Sequence, residues 1–199
     1  MSQPIPDAAL DVLFRAARSQ NKWTDRPVDE RLLREVYDIV KFGPTSANSC
    51  PARFVFCRTA EAKARLAKYA SPKNQPKILA APVTAIIAHD LKFFEQMPRL
   101  FPLPGVEQMI AAQRADPAAA QTMAFRNGSL QGAYLIIAAR ALGLDCGPMS
   151  GFDNARVDED FFAGTAYKSN FICSLGHGDP SGVFGRLPRL RFEEACRLL

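Results

Sequence analysis

The 199-residue chain is 48% hydrophobic and 23% charged, and its 25 lysines and arginines against 20 aspartates and glutamates leave a formal charge of +5. A chain of this size can bury roughly 70% of its unfolded surface, so it needs no metal or disulfide staple. Its bases are scattered rather than gathered into a stripe, which argues against a nucleic-acid partner. The five cysteines, Cys50, Cys57, Cys146, Cys173 and Cys196, are odd in number and form no C-x-x-C pair. That excludes a disulfide framework and a thiolate zinc site, and fits a reducing, cytoplasmic setting. The opening MSQPIPDAAL lacks a basic region followed by an apolar run, so no signal peptide is expected. The apolar stretch 130–144 is broken by Gln131, Gly132, Tyr134 and Arg140. A membrane span needs about 20 clean apolar residues, so no membrane partner is expected either.

In chain order, Asp7 is placed to cap a first helix whose Leu10, Leu13, Phe14 and Ala17 share one face. Asp29 caps a second, with Leu32, Val36, Ile39 and Val40 on one face, and Gly43-Pro44 ends it. Phe54–Cys57 reads as a strand, and residues 60–69 as a helix. Pro82–Ala88 is a mostly apolar run rich in β-branched residues, a buried strand with proline at its first position. Residues 90–118 hold Pro98, Pro102, Pro104, Gly105 and Pro117, and read as an excursion with one short helix, a candidate lid. A long helix follows from Ala119 to Leu142, with Gly143 just past its end. Phe171–Leu175 is a further strand, and 191–199 a final amphipathic helix. There is no repeat and no linker, so the pattern predicts one α+β domain spanning 1–199, with helices covering a small sheet.

The standard hydrolytic sites are absent. The only histidines are His89 and His177, no H-E-x-x-H metal spacing occurs, and there is no G-x-S-x-G elbow. Gly176–Gly182 misses the dinucleotide fingerprint in spacing, with Pro180 intervening. Five segments remain: Arg18–Trp23, Gly43–Pro51, Asn74–Lys77, Gly147–Asp153 and Arg186–Arg189. Each alone reads as a helix end, a turn or a surface base. Together they hold what a phosphorylated flavin requires: arginines for a phosphate, hydroxyls and amides for a ribityl chain and pyrimidine edge, and a Gly/Pro loop that lets backbone approach a ring.

In this order the five segments resemble the nitroreductase family over about residues 8–199. Arg18–Trp23 with Pro27-Val28 is similar to the family's R-S-I-R-x-F stretch and its closing P-V. Pro44–Phe54 is similar to P-S-x-x-N-x-Q-P-W-x-F, and Pro148–Asp153 to P-I-x-G-F-D. The resemblance implies an α/β/α sandwich, a homodimer with two shared FMN sites, and NAD(P)H as co-substrate. It implies that Arg18 and Arg189 hold the FMN phosphate, that Arg186, in the same closing basic segment as Arg189, also belongs to the cofactor site, and that Ser19 and Asn21 lie along the phosphate, ribityl and pyrimidine side. Asn74 would bond near the ring or ribityl chain. Pro148, Met149, Ser150 and Gly151 would lie beside the reactive edge. Thr45, Ser46 and Asn48 would arrive from the partner subunit. Asn21 stands where many relatives carry arginine, which makes Lys22 the substitute candidate at the pyrimidine end. Cys50 replaces a glutamine, Ala52 a tryptophan, and Ser150 an acidic residue of some relatives.

Within the family, G-P-T-S-A-N, A-P-V-T-A-I, A-F-R-N, L-G-L-D-C-G-P-M-S-G-F-D, K-S-N and R-L-P-R-L-R-F-E-E-A-C resemble most the malonic semialdehyde reductase branch of pyrimidine catabolism. The function expected is reduction of that small-molecule acceptor. General nitroaromatic or quinone reduction, and flavin binding without catalysis, stay open as rivals. No side chain stands out as catalytic and no metal is expected. Arg53, Arg99 and Arg126 are candidate anchors for a substrate carboxylate, with nothing in the sequence to choose among them.

Overall fold

A computed structural model describes residues 3–199. Its helices run α1 (Asp7–Leu10), α2 (Glu30–Val40), α3 (Ala60–Ala67), α4 (Gln75–Ala80), α5 (Met97–Leu100), α6 (Val106–Ala115), α7 (Pro117–Ala141), α8 (Asn154–Phe161) and α9 (Phe192–Ala195). Four strands, β1 (Ala52–Cys57), β2 (Val83–Asp90), β3 (Asp145–Met149) and β4 (Tyr167–Gly176), form an antiparallel sheet in the order β1-β2-β4-β3.

The apolar run predicted at 82–88 is the centre of this sheet, and every residue of β2 is buried. Successive side chains of a strand point to opposite faces, so β2 serves two cores. Val83, Ala85 and Ile87 meet Leu33, Val36 and Val40 of α2 and Leu135, Ala138 and Ala139 of α7. Ile86 and Ala88 meet Leu66 of α3, Ile78 of α4 and Val157 of α8. The result is helices on both faces of a small sheet. The α7 helix is capped by Asp116, whose carboxylate accepts from Ala118 and Ala119 N–H at 3.1 and 3.0 Å. Gly143, at φ +78°, follows its end as expected. Among the described residues no helix is long and apolar enough to cross a membrane.

Several elements differ from their sequence reading. The first helix is only one turn long, continues as a wider π-type turn over Asp11–Arg15, and buries none of its residues. Asp7 does not cap it; its carboxylate instead binds Arg15 at 2.8 Å. Asp29 does cap α2, accepting from Leu32 N–H at 2.8 Å, but the buried face is Leu33, Val36 and Val40, with Ile39 exposed. The segment 90–118 is not a loose excursion with one helix. It holds a 3₁₀ turn, α5 and α6, and builds its own core from Phe93, Phe94, Met97 and Ile110 against Ala120 and Ala124 of α7. The final helix is confined to Phe192–Ala195.

Candidate functional site

The segment before α2 runs beside β3. Ser19 bridges to Cys146, and Gln20 N–H donates to the Cys146 carbonyl at 2.9 Å. This approach requires Gly147, because a Cβ there would lie 2.5 Å from the Gln20 carbonyl oxygen. The chain after β4 folds back against the same segment. Asn21 Nδ2 donates to the Gly182 carbonyl at 3.2 Å, Arg18 to the Phe184 carbonyl, and Arg186 to the carbonyls of Arg15 and Ala17. Between them lies a cavity of about 480 Å³ lined by Arg18, Ser19, Asn21, Arg140, Arg186 and Arg189, among others.

Four guanidinium groups thus share one cavity. Arg140 donates to the Leu13 carbonyl at 3.0 Å, and Arg189 to those of Leu187 and Pro188 at 2.9 and 3.1 Å. Each of the four bonds only to backbone carbonyls, and among the described residues none pairs with a carboxylate. Their charge is uncompensated, and the planar, always-charged forks suit a phosphomonoester. Arg140 belongs to this set and was not among the expected residues. Its signal was a lone base in the apolar second half of α7.

Three residues beyond Cys146, β3 ends at Met149 and the loop Ser150-Gly151 begins. Asn74 meets that loop. Its Nδ2 donates to the Gly151 carbonyl at 3.1 Å, and Ser71 N–H reaches the same oxygen at 2.9 Å. The structure therefore brings Arg18, Ser19, Asn21, Arg186 and Arg189 to one end of β3, and Pro148, Met149, Ser150, Gly151 and Asn74 to the other.

Thr45, Ser46 and Asn48 are not joined to either group. Thr45 and Ser46 line a separate cavity of about 610 Å³ with Thr122, Met123, Arg126 and Asn127 of α7. Ala47, Asn48 and Cys50 have φ of 49°, 47° and 42°. Left-handed backbone at non-glycine residues costs of order 1–3 kcal/mol each and persists only where its surroundings impose it. Here Ser46 N–H donates to Asn127 Oδ1 at 2.8 Å, Cys50 N–H to Thr45 Oγ1 at 3.2 Å, and Asn48 Nδ2 to the Leu100 carbonyl at 2.7 Å. One turn after Asn127, Gln131 accepts from Ala52 N–H at 2.8 Å. These two buried amides, four residues apart on α7, were missed in the sequence; their signal was polar spacing inside an apolar helix.

The histidines lie elsewhere. His89 sits inside β2, not after it, and burial depresses its pKa. His177 follows β4, and partial burial together with Arg26 lowers its pKa against the pull of Asp145.

A model of the nitroreductase family matches residues 2–177. Proteins of Caulobacter sp. (strain K31) and Stenotrophomonas maltophilia (strain K279a), each provisionally named NADH dehydrogenase/NAD(P)H nitroreductase, are similar to this chain. The first is 58% identical over 98% of both chains, and the second 59% identical over 100% of both. Among solved structures, a protein of Bacillus subtilis provisionally called a nitroreductase superposes with TM-score 0.88 at 19% identity, covering 98% of this chain and 100% of its own. A similarly described protein of Exiguobacterium sibiricum, solved in complex with FMN, superposes with TM-score 0.84 at 20% identity over all of both chains. The fold is the nitroreductase α/β/α arrangement expected from the sequence.

Proposed function

The chain belongs to the nitroreductase family, and from that premise we propose that it is an FMN-dependent NAD(P)H oxidoreductase whose preferred acceptor is malonic semialdehyde. The observation that carries the cofactor reading is the cavity with four arginines and no paired carboxylate at the β3 edge. Arg18, Arg186, Arg189 and the added Arg140 hold the phosphate in this reading. Ser19, Asn21 and Lys22 face the ribityl chain and pyrimidine edge, and Asn74 with Pro148, Met149, Ser150 and Gly151 lines the ring. The structural neighbour solved in complex with FMN supports the choice of cofactor. When bound, FMN supplies two-electron carriage between a nicotinamide and an acceptor.

The protein works as a homodimer in this reading. Thr45 and Ser46 line one cavity and Asn48 another, both apart from the cavity of the four arginines, as residues serving a second copy's site would. Phe184, Leu187, Leu190 and Phe192 of the tail are all more than half exposed. Apolar side chains in such density favour cover by another chain.

For the acceptor, the overall change is that NAD(P)H and a proton convert the aldehyde of malonic semialdehyde to the primary alcohol of 3-hydroxypropanoate, releasing NAD(P)⁺. The block Leu142–Asp153, with Lys168–Asn170 and Arg186–Cys196, supports this branch. The printed names of the relatives favour a second reading, a general nitroaromatic reductase. Anaerobic mixing of pre-reduced holoprotein with each acceptor separates the two. Reoxidation by malonic semialdehyde supports the first; reoxidation by a nitroaromatic alone removes it and keeps the second.

A further inference from the structure

We propose that Arg126 is the anion anchor for the acceptor, which fixes the acceptor class as small molecules that join an apolar or reducible body to a carboxylate. The proposal rests on the oxidoreductase reading and deepens it.

Three arginines were candidates, and their surroundings separate them. Arg53 is already engaged. Its Nη2 lies 2.6 Å from Asp90 Oδ2, its Nη1 donates to the carbonyls of Cys50, Pro51 and Ala52, and its guanidinium lies 5.3 Å from the Tyr167 ring centroid. Arg99 leans on Gln96 Oε1 at 3.4 Å and opens on the side of β1, beside Lys41 and Arg53. Arg126 has no hydrogen bond or ion pair among the described residues, and it is the single charged residue lining its cavity.

That cavity is suited to a small organic anion. Ala119, Met123 and Leu130 supply an apolar wall, and Thr45 and Ser46 line the same space. No carboxylate lines it, so nothing repels an incoming acid or competes for the guanidinium. Pockets of this kind bind through an apolar body with a few convergent polar groups, and an arginine fork recognises a carboxylate through two parallel hydrogen bonds. Buried Asn127 fixes the geometry by holding Ser46 N–H from the next position on α7. In the proposed dimer Thr45 and Ser46 face the neighbour's flavin, so a cavity containing them and Arg126 is the acceptor side of that site.

The test uses FMN-loaded full-length protein and two nitroaromatic acceptors of similar shape, 4-nitrobenzoate and nitrobenzene, with NAD(P)H. Calorimetric binding of benzoate to the oxidised holoprotein is read alongside. Arg126→Ala should lower kcat/KM for 4-nitrobenzoate by roughly tenfold or more and weaken benzoate to match. Nitrobenzene turnover should be unchanged. Arg126→Lys should restore part of the loss, and Arg99→Ala should leave both acceptors alone. Equal loss on both acceptors, or benzoate binding that is the same in wild type and Arg126→Ala, overturns the anchor. If wild type turns over neither acceptor, the oxidoreductase reading fails. Benzoate binding that depends on Arg126 would still establish the anion site.

Discussion

Asn127 in the middle of α7 accepts a hydrogen bond from Ser46 N–H at 2.8 Å and donates one to the Met123 carbonyl at 2.8 Å. One buried amide therefore ties the long helix to a loop carrying three left-handed non-glycine residues. Asn127→Leu removes the acceptor and leaves the Ser46 N–H without a partner. The expected cost is about 1–3 kcal/mol, a fall in Tm of several degrees for a chain of this size. Thermal unfolding checks it. A variant as stable as wild type would mean the loop holds its shape without the helix.

Gly147 sets the distance between β3 and the segment that carries Arg18. A Cβ at that position would meet the Gln20 carbonyl oxygen at 2.5 Å, and this is backbone that cannot swing aside. Gly147→Ala should destabilise by about 1–3 kcal/mol through overpacking, and should loosen flavin because the arginine segment is pushed from the strand. Gly185→Ala is the control, since nothing lies within 4 Å of its Cβ. Equal stability of the two variants in urea would contradict the close approach.

Arg189 lines the arginine cavity and touches only backbone carbonyls. Arg189→Ala should keep the fold and raise the Kd for FMN by roughly tenfold or more, the loss of one charge-assisted contact. Fluorescence titration of the apoprotein with FMN reads this. Unchanged affinity would remove Arg189 from the phosphate site.

His89 gives the protein a predictable acid sensitivity. Burial is the main cause holding its pKa below the ordinary 6.5, with Asp158 and Asp90 pulling it up and Lys168 pushing it down. Its ring meets Phe125 edge-on at 5.7 Å, and its Nδ1 has no partner. Between the depressed folded pKa and the ordinary value near 6.5, the unfolded chain binds the proton and the folded chain does not. Stability therefore rises with pH across that window and is lost as pH falls below 6.5. His89→Gln should flatten this part of the curve, as measured by urea midpoints on either side of pH 6.5. A slope unchanged by the substitution would assign the acid loss to other groups.

The parts of the fold that were legible in the sequence are those with strong periodic or β-branched patterns. β2 and α7 were read to within a few residues because one is mostly apolar and rich in β-branched residues and the other is long and closed by Gly143. β3 was hidden by Gly147 and Pro148, which normally break strands. It survives because it is the edge strand of the sheet, laddered to β4 and bridged on its outer side at Cys146 by Ser19, so that a residue without an N–H is tolerated at Pro148. α4 was hidden by Pro76 in its first turn and α8 by its charged composition. The arginine cluster was legible in part: Arg18, Arg186 and Arg189 stood out in loops, whereas Arg140 was buried in an apolar run of sequence. The separation of Thr45, Ser46 and Asn48 from that cluster is a three-dimensional fact that no local pattern encodes.

The most direct test of the whole account is the flavin itself. Protein purified as the full chain, or reconstituted with flavin, is denatured and the released cofactor identified by chromatography. The mass of the native particle is measured in parallel by light scattering. The account predicts FMN, one per chain, in a dimer, bleached by NAD(P)H under anaerobic conditions. Release of FAD, failure to take up FMN when it is supplied, or a monomer that holds FMN tightly would contradict it.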